Sequence, residues 1–438
     1  MKQLQYIGLA TACALLPFTA SAQNTVDVND LVVVPAENGG FADDEIFGVR
    51  GGYIHPYLSL RTGWTDNVFN VDDDTDSSWL YTISPGVWFS LPRMRVVPIT
   101  IAPHNTSAGG LQLELDDDVG TDKYQLYALV GSDINMYSYD SDLNSEDYYA
   151  EGMARWNMAS GLSLRVLDRF TLGHDDFGVG EATDEDLREF DTNLLMLTAD
   201  WELTEKLRFK VDYSNFLLQY DEADNAFFFD RTDNVIDLYG YYKYSEKTSL
   251  FLQYRYTDVE YDNDTAKDNS QDYYYGGVRW VSSDKLALLF KAGLQSKSFD
   301  AETDEYQDSD NFTLDLQAHY RMTDKTDMTL DLYQKNEESD NAGASEKLVL
   351  GARFVYSQAM TEKITAKLGM GYENSDYEQL VGQADRDEDT FYISPAVQFL
   401  VRDWLMAELS YSFETTDSSD DAYDYDTNTI YLSLNFAM

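Results

Sequence analysis

The chain has 438 residues with a formal net charge of −48 at pH 7, and it contains 33 tyrosines, 8 prolines and 1 cysteine. So acidic a surface excludes nucleic acid as a partner, because a polyanion gains nothing from a protein of the same sign. A single cysteine also excludes a disulfide framework within the chain.

The N-terminal residues 1–22 have the pattern of a secretory signal peptide. An apolar run follows Lys2 and leads to a small-residue cleavage site at residues 20–22. Cys13, the only cysteine, lies inside this segment. The signal predicts an exported protein. Residues 23–51 follow as a polar segment, which we assign to the periplasm, and a position inside a lumen is the alternative.

Beyond the signal, no segment approaches the roughly 18 consecutive apolar residues that a membrane helix needs. Instead, apolar and polar residues alternate, most clearly from Phe312 to Met322 and again over residues 328–333. Strands with this pattern have one apolar and one polar face. In a soluble sandwich the apolar face packs on a second sheet, whereas in an outer-membrane barrel it faces lipid and the polar face lines the lumen.

This alternation predicts about 18 strands, with a range of roughly 16 to 20, over residues 52–438. The first pair is expected at 53–64 and 79–91, and residues 92–121 break the rhythm as an extended turn or an additional hairpin. The later predicted strands cover residues 124–138, 147–158, 161–173, 191–203, 206–220, 232–244, 248–261, 272–282, 285–298, 311–322, 327–337, 346–358, 363–374, 390–401, 403–415 and 427–438.

The connections between these strands alternate in length. Short polar turns, such as 159–160 and 402–403, alternate with long acidic loops, such as 173–190 and 373–389. A sandwich has no reason to keep this alternation, whereas outer-membrane barrels have short periplasmic turns and long external loops. We therefore predict an all-β fold, a transmembrane antiparallel up-and-down outer-membrane β-barrel with long acidic extracellular loops.

Tryptophans concentrate near the predicted strand ends. Aromatic girdles of this kind mark the two interfaces of a membrane, whereas core tryptophans of a soluble fold would be scattered along the strands. The girdle candidates are Trp156, Trp201, Trp280 and Trp404 near the short turns, and Trp64 and Trp79 beside the first long loop.

Basic residues on the polar register are expected to line the lumen, where rings of charge select solutes. Fewer acids share that register, and a net basic wall favours an anionic solute. The alternative is that inward Arg and Lys pair with inward Asp and Glu on neighbouring strands and brace the wall. For any single basic residue, we favour an ion pair that stabilises the wall. For the basic residues taken together, we favour a positively charged strip across several strands. The lumen candidates are Arg61, Arg155, Arg165, Arg169, Arg208, Lys210, Lys243, Arg255, Arg279, Lys291, Arg321, Arg353 and Lys367.

Neither an enzyme nor a cofactor is predicted. No serine or paired carboxylate is placed by sequence to form a nucleophile and base with His319. His174 precedes Asp175 and Asp176 at a strand-to-loop edge, where a dyad is conceivable. A structural polar role is favoured for each of His55, His104, His174 and His319. Clustered carboxylates in the loops suit calcium or magnesium, but no spacing matches a defined calcium loop. Solvated, mutually repelling loops are the favoured interpretation, so no metal site is predicted.

Three short stretches occur in a distinctive order. Residues 56–69 contain PYLSL and TDNVF, residues 83–87 read ISPGV, and the strand at 162–176 ends in His174 and Asp175. With the barrel rhythm, these motifs resemble the Putative beta-barrel porin 2 family. The resemblance implies an outer-membrane barrel, often encoded with exopolysaccharide or capsule synthesis and export machinery, and it brings no catalytic residues.

The expected partners are outer-membrane lipid and, on that resemblance, periplasmic polysaccharide-export proteins. The amphipathic final strand also resembles the terminal strand that barrel-insertion machinery recognises, although Met438 stands where Phe or Trp is usual. The sequence leaves the oligomeric state open.

Three functions are compatible with these observations. The first is export of an anionic extracellular polysaccharide. The second is a general or substrate-specific diffusion porin for small solutes, and the third is a structural or adhesion barrel acting through its acidic loops. A constricting loop inside the barrel would favour the porin, a continuous open bore with a basic strip would favour polymer export, and a plugged lumen would favour the third.

Overall fold

The described residues form one antiparallel sheet of 18 strands. The computed structural model describes residues 53–91, 123–175, 187–221, 227–283, 285–301, 306–339, 343–380 and 386–437. The predicted signal peptide (1–22), the predicted periplasmic segment (23–51) and the break at 92–121 lie outside these residues. In the part of the chain that is described, no helix is long and apolar enough to cross a membrane.

The strands follow the chain order around the sheet, and three short 3₁₀ turns lie in the connections at Ser141–Leu143, Phe227–Phe229 and Asp421–Tyr423. The predicted fold class and strand number are therefore confirmed. The strands are β1 (Ile54–Thr65), β2 (Ser78–Leu91), β3 (Tyr124–Tyr137), β4 (Ser145–Asn157), β5 (Leu162–His174), β6 (Glu189–Glu202), β7 (Leu207–Tyr220), β8 (Arg231–Ser245), β9 (Thr248–Tyr261), β10 (Asn269–Ser283), β11 (Leu286–Phe299), β12 (Ser309–Thr323), β13 (Thr326–Glu338), β14 (Ala344–Ala359), β15 (Ile364–Gln379), β16 (Arg386–Arg402), β17 (Leu405–Ser418) and β18 (Tyr425–Ala437).

The sheet closes on itself because β1 pairs with both β2 and β18. The β1–β18 ladder runs from Tyr57 opposite Ala437 to Thr65 opposite Thr429. Closure leaves no sheet edge with unpaired backbone groups, which is the condition for crossing a hydrocarbon layer with strands.

The outer face of the barrel is apolar and its inner face is polar, whereas a soluble protein has a polar exterior and an apolar core. On β9, for example, Leu252 is 72% exposed whereas the next residue, Gln253, is 3% exposed. Because successive side chains point to opposite faces of a strand, the exposed apolar residues form the outer surface and the buried polar residues form the inner wall.

The short turns are stabilised locally. At the β6–β7 turn the Thr204 hydroxyl oxygen accepts hydrogen bonds from the backbone N–H groups of Lys206 and Leu207. Thr361 does the same at the β14–β15 turn. These side-chain caps are typical of Ser/Thr turns, and they explain why so few residues suffice to reverse the chain.

Aromatic rings lie over glycines on the inner wall. In each case the ring comes from the residue directly opposite on the neighbouring strand, where a glycine leaves room for it. This is the arrangement by which an aromatic residue compensates for a glycine in a sheet. The pairs are Tyr57 over Gly86, Tyr149 over Gly131, Tyr333 over Gly351, Tyr392 over Gly371, Tyr431 over Gly63, Phe251 over Gly277 and Phe190 over Gly173.

We predict that Gly351→Ala destabilises the barrel by about 1–3 kcal/mol, as overpacking does. The new Cβ would lie 2.1 Å from Tyr333 Cζ, so the ring must move away from the wall. Gly240→Ala is the matched control, because its Cβ would meet only Phe209 at 3.8 Å. Urea unfolding in lipid vesicles measures the difference, and equal midpoints for the two variants would contradict the packing role.

Candidate functional site: the inner wall and the mouth of the barrel

The basic residues predicted to line the lumen lie on the inward register of their strands. Lys210, Arg255, Lys291, Arg353 and Lys367 are buried there. Lys243 differs, because it lies at the end of β8 beside the short β8–β9 turn and is exposed. It therefore belongs to the rim of the barrel rather than to its interior.

Acidic side chains compensate many of these cations, mostly across adjacent strands. The Arg255 Nε donates to Asp237 Oδ1 at 2.9 Å, and the Arg208 Nε donates to Asp200 Oδ1 at 2.8 Å. Breaking such a buried pair leaves an uncompensated charge, so these residues brace the wall. The other pairs are Lys210 with Asp212 at 3.1 Å, Arg321 with Asp327 at 3.4 Å, Lys291 with Asp315 at 3.7 Å and Arg169 with Glu151 at 3.8 Å.

Tyrosine rings pack against the same cations. Arg208 lies 5.0 Å from the ring centroid of Tyr241, and Lys291 lies 4.7 Å from that of Tyr275. A cation over an aromatic face is attracted by the ring quadrupole, and the ring shields it on that side. The wall therefore presents tyrosine surface as well as charge.

Two arginines on β4 and β5 are in a different environment. Arg155 and Arg165 are directly opposite each other in the ladder, an arrangement that is unfavourable for like charges. Their hydrogen bonds include neutral acceptors, Gln125 Oε1 at 3.4 Å for Arg155 and Thr198 Oγ1 at 3.3 Å for Arg165. Positive charge is thus concentrated at this point of the wall.

The outer ends of β13 and β14 bend into the barrel. The pairing of β12 with β13 ends at Leu314 opposite Gln334, although both strands continue. The β13–β14 pairing, by contrast, continues to Glu338 opposite Glu346. Residues 336–339 and 344–347 are all buried, whereas a strand within the wall exposes every second residue. We call these two stretches the inward hairpin.

Glu338 attaches the inward hairpin to the inner face of a nearby part of the wall. Its carboxylate accepts hydrogen bonds from Gln271 Nε2 at 2.6 Å and Tyr261 OH at 2.9 Å. It also forms an ion pair with Lys297 Nζ at 3.0 Å. These partners lie on β9, β10 and β11, and the side chains of Glu338 and Lys297 are 2% and 0% exposed. The hairpin is therefore fixed inside the mouth, against strands that precede β12 and β13 in the wall.

Sequence reasoning placed residues 327–337 in an ordinary wall strand and missed the inward hairpin. The available signal was the polar outward register of Gln334, Asn336 and Glu338, which follows the apolar Met328, Leu330 and Leu332. Polar residues at three successive lipid-facing positions indicate that the strand has left the lipid. The partners of Glu338 are distant in sequence, so the pattern could not identify them.

The candidate girdle tryptophans all lie on the outward register. Trp79, Trp156, Trp201, Trp280 and Trp404 are exposed. Trp64 is half-buried and lies directly opposite Trp79. Their position is compatible with two membrane interfaces, and the girdle role remains a prediction.

The described histidines make structural contacts. His55 stacks on Trp88 with ring centroids 4.1 Å apart. His174 Nδ1 lies 2.8 Å from Asp147, and His319 Nε2 lies 3.4 Å from Asp327. His104 lies outside the described residues. Among those that are described, no group of three or more His, Cys, Asp or Glu side chains is placed to hold a metal ion.

A closed barrel with an apolar exterior, a polar inner wall and a partly covered mouth is the architecture of an outer-membrane channel protein. The sequence profile of the family described as Putative beta-barrel porin 2 matches residues 120–438. The chain therefore belongs to this family, as the sequence motifs indicated, and the family consists of porin channels rather than enzymes.

Solved structures of outer-membrane channels are distantly similar to the chain. OccK2 (OpdF) of Pseudomonas aeruginosa in complex with glucuronate has 12% identity and a TM-score of 0.46, covering 89% of this chain and 100% of that one. OpdK of the same organism with vanillate has 10% identity and a TM-score of 0.45, covering 88% and 100%. OccAB3 of Acinetobacter baumannii has 10% identity and a TM-score of 0.44, covering 88% and 99%. A comparison with curated proteins finds no match.

We predict that Glu338→Ala increases single-channel conductance in planar bilayers. The change removes the hydrogen bonds and ion pair that hold the inward hairpin against β9–β11. Glu337→Ala is the matched control on the same hairpin, because Glu337 pairs with Lys335 of its own strand. If both variants conduct like the unmodified protein, the hairpin does not limit the pore.

Proposed function

We propose that the protein is a diffusion porin that admits small polar solutes through the outer membrane. The inward hairpin carries this proposal, because it occupies part of the mouth and is fixed by Glu338 to the inner face of β9–β11. A structural element held inside the mouth reduces the size of solutes that can pass, and it leaves water and small molecules a route along the rest of the polar wall.

The hairpin also separates this proposal from polysaccharide export. A polymer chain needs a continuous bore along its whole length, and the inward hairpin is an obstacle in such a bore. Moving it would break the contacts of Glu338 with three strands. We find no observation that favours polymer export, its periplasmic partners or an adhesion role.

The proposed solutes are anionic. Most inward cations have an acidic neighbour, so their charge is largely compensated inside the wall. Arg155 and Arg165 lie side by side on β4 and β5, and their hydrogen bonds include neutral acceptors. Two adjacent guanidinium groups of the same sign attract an anion that passes them.

Liposome swelling tests the size limit. Vesicles containing the purified protein should swell quickly in a charged or neutral monosaccharide and slowly in oligosaccharides of increasing length. The cut-off should move to longer oligosaccharides in Glu338→Ala vesicles but not in Glu337→Ala vesicles. Free permeation of a long polysaccharide through the unmodified protein would reject the diffusion porin and restore the export hypothesis.

We predict that replacing Arg155 and Arg165 together by glutamine lowers the anion-to-cation permeability ratio. At roughly 7 Å in a water-filled pore, each removed charge weakens the attraction of a monovalent anion by about 0.6 kcal/mol, or about threefold. Reversal potentials under a salt gradient at low ionic strength give the ratio, since salt screens the effect. Arg402→Gln is the control, because Arg402 is exposed beside a short turn. An equal change in the control would place the selectivity outside this site.

A further inference from the structure

One charged residue lies in the apolar outer surface of the barrel. Asp168 is on the outward register of β5, between Val166 and Phe170, which are 45% and 43% exposed. Within the described strands, apart from the inward hairpin, it is the only charged outward residue with apolar outward neighbours on both sides along its strand. A carboxylate facing hydrocarbon is unfavourable, so this position needs a polar environment outside the chain.

Amide side chains extend this feature across the next three strands. Asn193 on β6, Asn215 on β7 and Asn234 on β8 also face outward. Asn193 Nδ2 donates to Asp168 Oδ1 at 3.2 Å, and Asn215 Nδ2 donates to Asn234 Oδ1 at 3.0 Å. We call Asp168 and these three asparagines the outer polar patch.

The hydrogen bonds within the outer polar patch leave some of its donors and acceptors unused. An amide offers two N–H donors and one acceptor oxygen. In the described part of the chain, the Asn234 amide nitrogen donates to no group, and the side-chain oxygens of Asn193 and Asn215 accept no hydrogen bond. Lipid tails can satisfy none of these groups.

Part of the inner face of the same strands is apolar. Leu194, Phe216, Leu218 and Val235 belong to a buried cluster on the inner wall. Because successive side chains of a strand point to opposite faces, the outward amides cannot turn into the barrel. Their polar groups therefore have to be satisfied at the outer surface.

We propose that the outer polar patch is the contact between two copies of this chain, related by a two-fold axis along the membrane normal between β6 and β7. Asn193 and Asn215 lie diagonally on these strands, since Asn193 is opposite Leu217 and Leu195 is opposite Asn215. The axis brings Asn193 of one copy to Asn215 of the other, and the reverse. Each amide supplies both a donor and an acceptor, so the contact is self-complementary, as an isologous interface requires.

The same axis places β5 of one copy on the side of β8 of the other, so that the Asn234 amide nitrogen faces the strand that carries the Asp168 carboxylate. A second copy thus supplies hydrogen-bond donors and acceptors, which a lipid tail does not.

Disulfide cross-linking in native outer membranes tests the two-fold contact. One copy carries Asn193→Cys and one tag, the co-expressed copy carries Asn215→Cys and another tag, and Cys13→Ser removes the only native cysteine. Mild oxidation should give a mixed-tag dimer. The control uses Leu316→Cys with Leu332→Cys, which lie opposite each other on the outer face of β12 and β13. A mixed-tag yield no higher than in this control overturns the proposal.

A second variant separates contact from folding. Ala199→Trp adds bulk to the outer face of β6, beside the proposed axis, and Ala366→Trp adds the same bulk to the outer face of β15. In nanodiscs, mass photometry should show the dimer fraction of Ala199→Trp reduced at least about tenfold, with conductance per barrel unchanged. Ala366→Trp should remain dimeric. An unmodified protein that is monomeric, or an Ala199→Trp variant that remains dimeric, overturns the proposal.

Discussion

The structure depends on one constraint, that every backbone N–H and C=O group inside the hydrocarbon layer must be paired within the chain. Strands can meet this condition only in a closed sheet, and the β1–β18 ladder provides the closure. Once the sheet is closed, its outer side chains meet lipid and its inner side chains meet one another or water. The alternation of exposed Leu252 and buried Gln253 is the local result of that global requirement.

Inside the barrel, the closed sheet brings polar and charged side chains close together. Three kinds of contact stabilise them. Aromatic rings cover glycines opposite them, as Tyr333 covers Gly351. Cations pair with carboxylates across strands, as Arg255 pairs with Asp237. Where pairing would otherwise be incomplete at the mouth, the inward hairpin brings Glu338 to Lys297. The same contacts that satisfy buried charge therefore also hold the inward hairpin inside the mouth.

The sequence was sufficient for the class and the strand number because lipid on one side and water on the other impose a two-residue period that survives in every strand. The lumen candidates lie on the inward register of their strands, with Lys243 at the rim, and their part in solute selection remains a prediction. The sequence could not reveal which cations are compensated, because the Arg255 and Asp237 pairing depends on strand register. Nor could it find the inward hairpin or the outer polar patch. Gln334 and Asn193 are visible in the sequence as polar residues on an otherwise apolar register. Their role can be inferred only once the residues on the neighbouring strands are known.

The ladder between the first and last strands also governs how the barrel can form. Tyr57 and Ala437 are neighbours in space but lie at opposite ends of the described chain, so their encounter closes a loop of nearly maximal length. Closing so long a loop carries a high entropic cost, and contacts between distant residues make folding slow. Until that last seam forms, β1 and β18 both expose unpaired edges that invite pairing with other chains. Until the barrel closes, the edges of β1 and β18 therefore have to be protected from pairing with strands of other chains. Formation of the β1–β18 ladder is the last step of assembly, and it removes both unpaired edges.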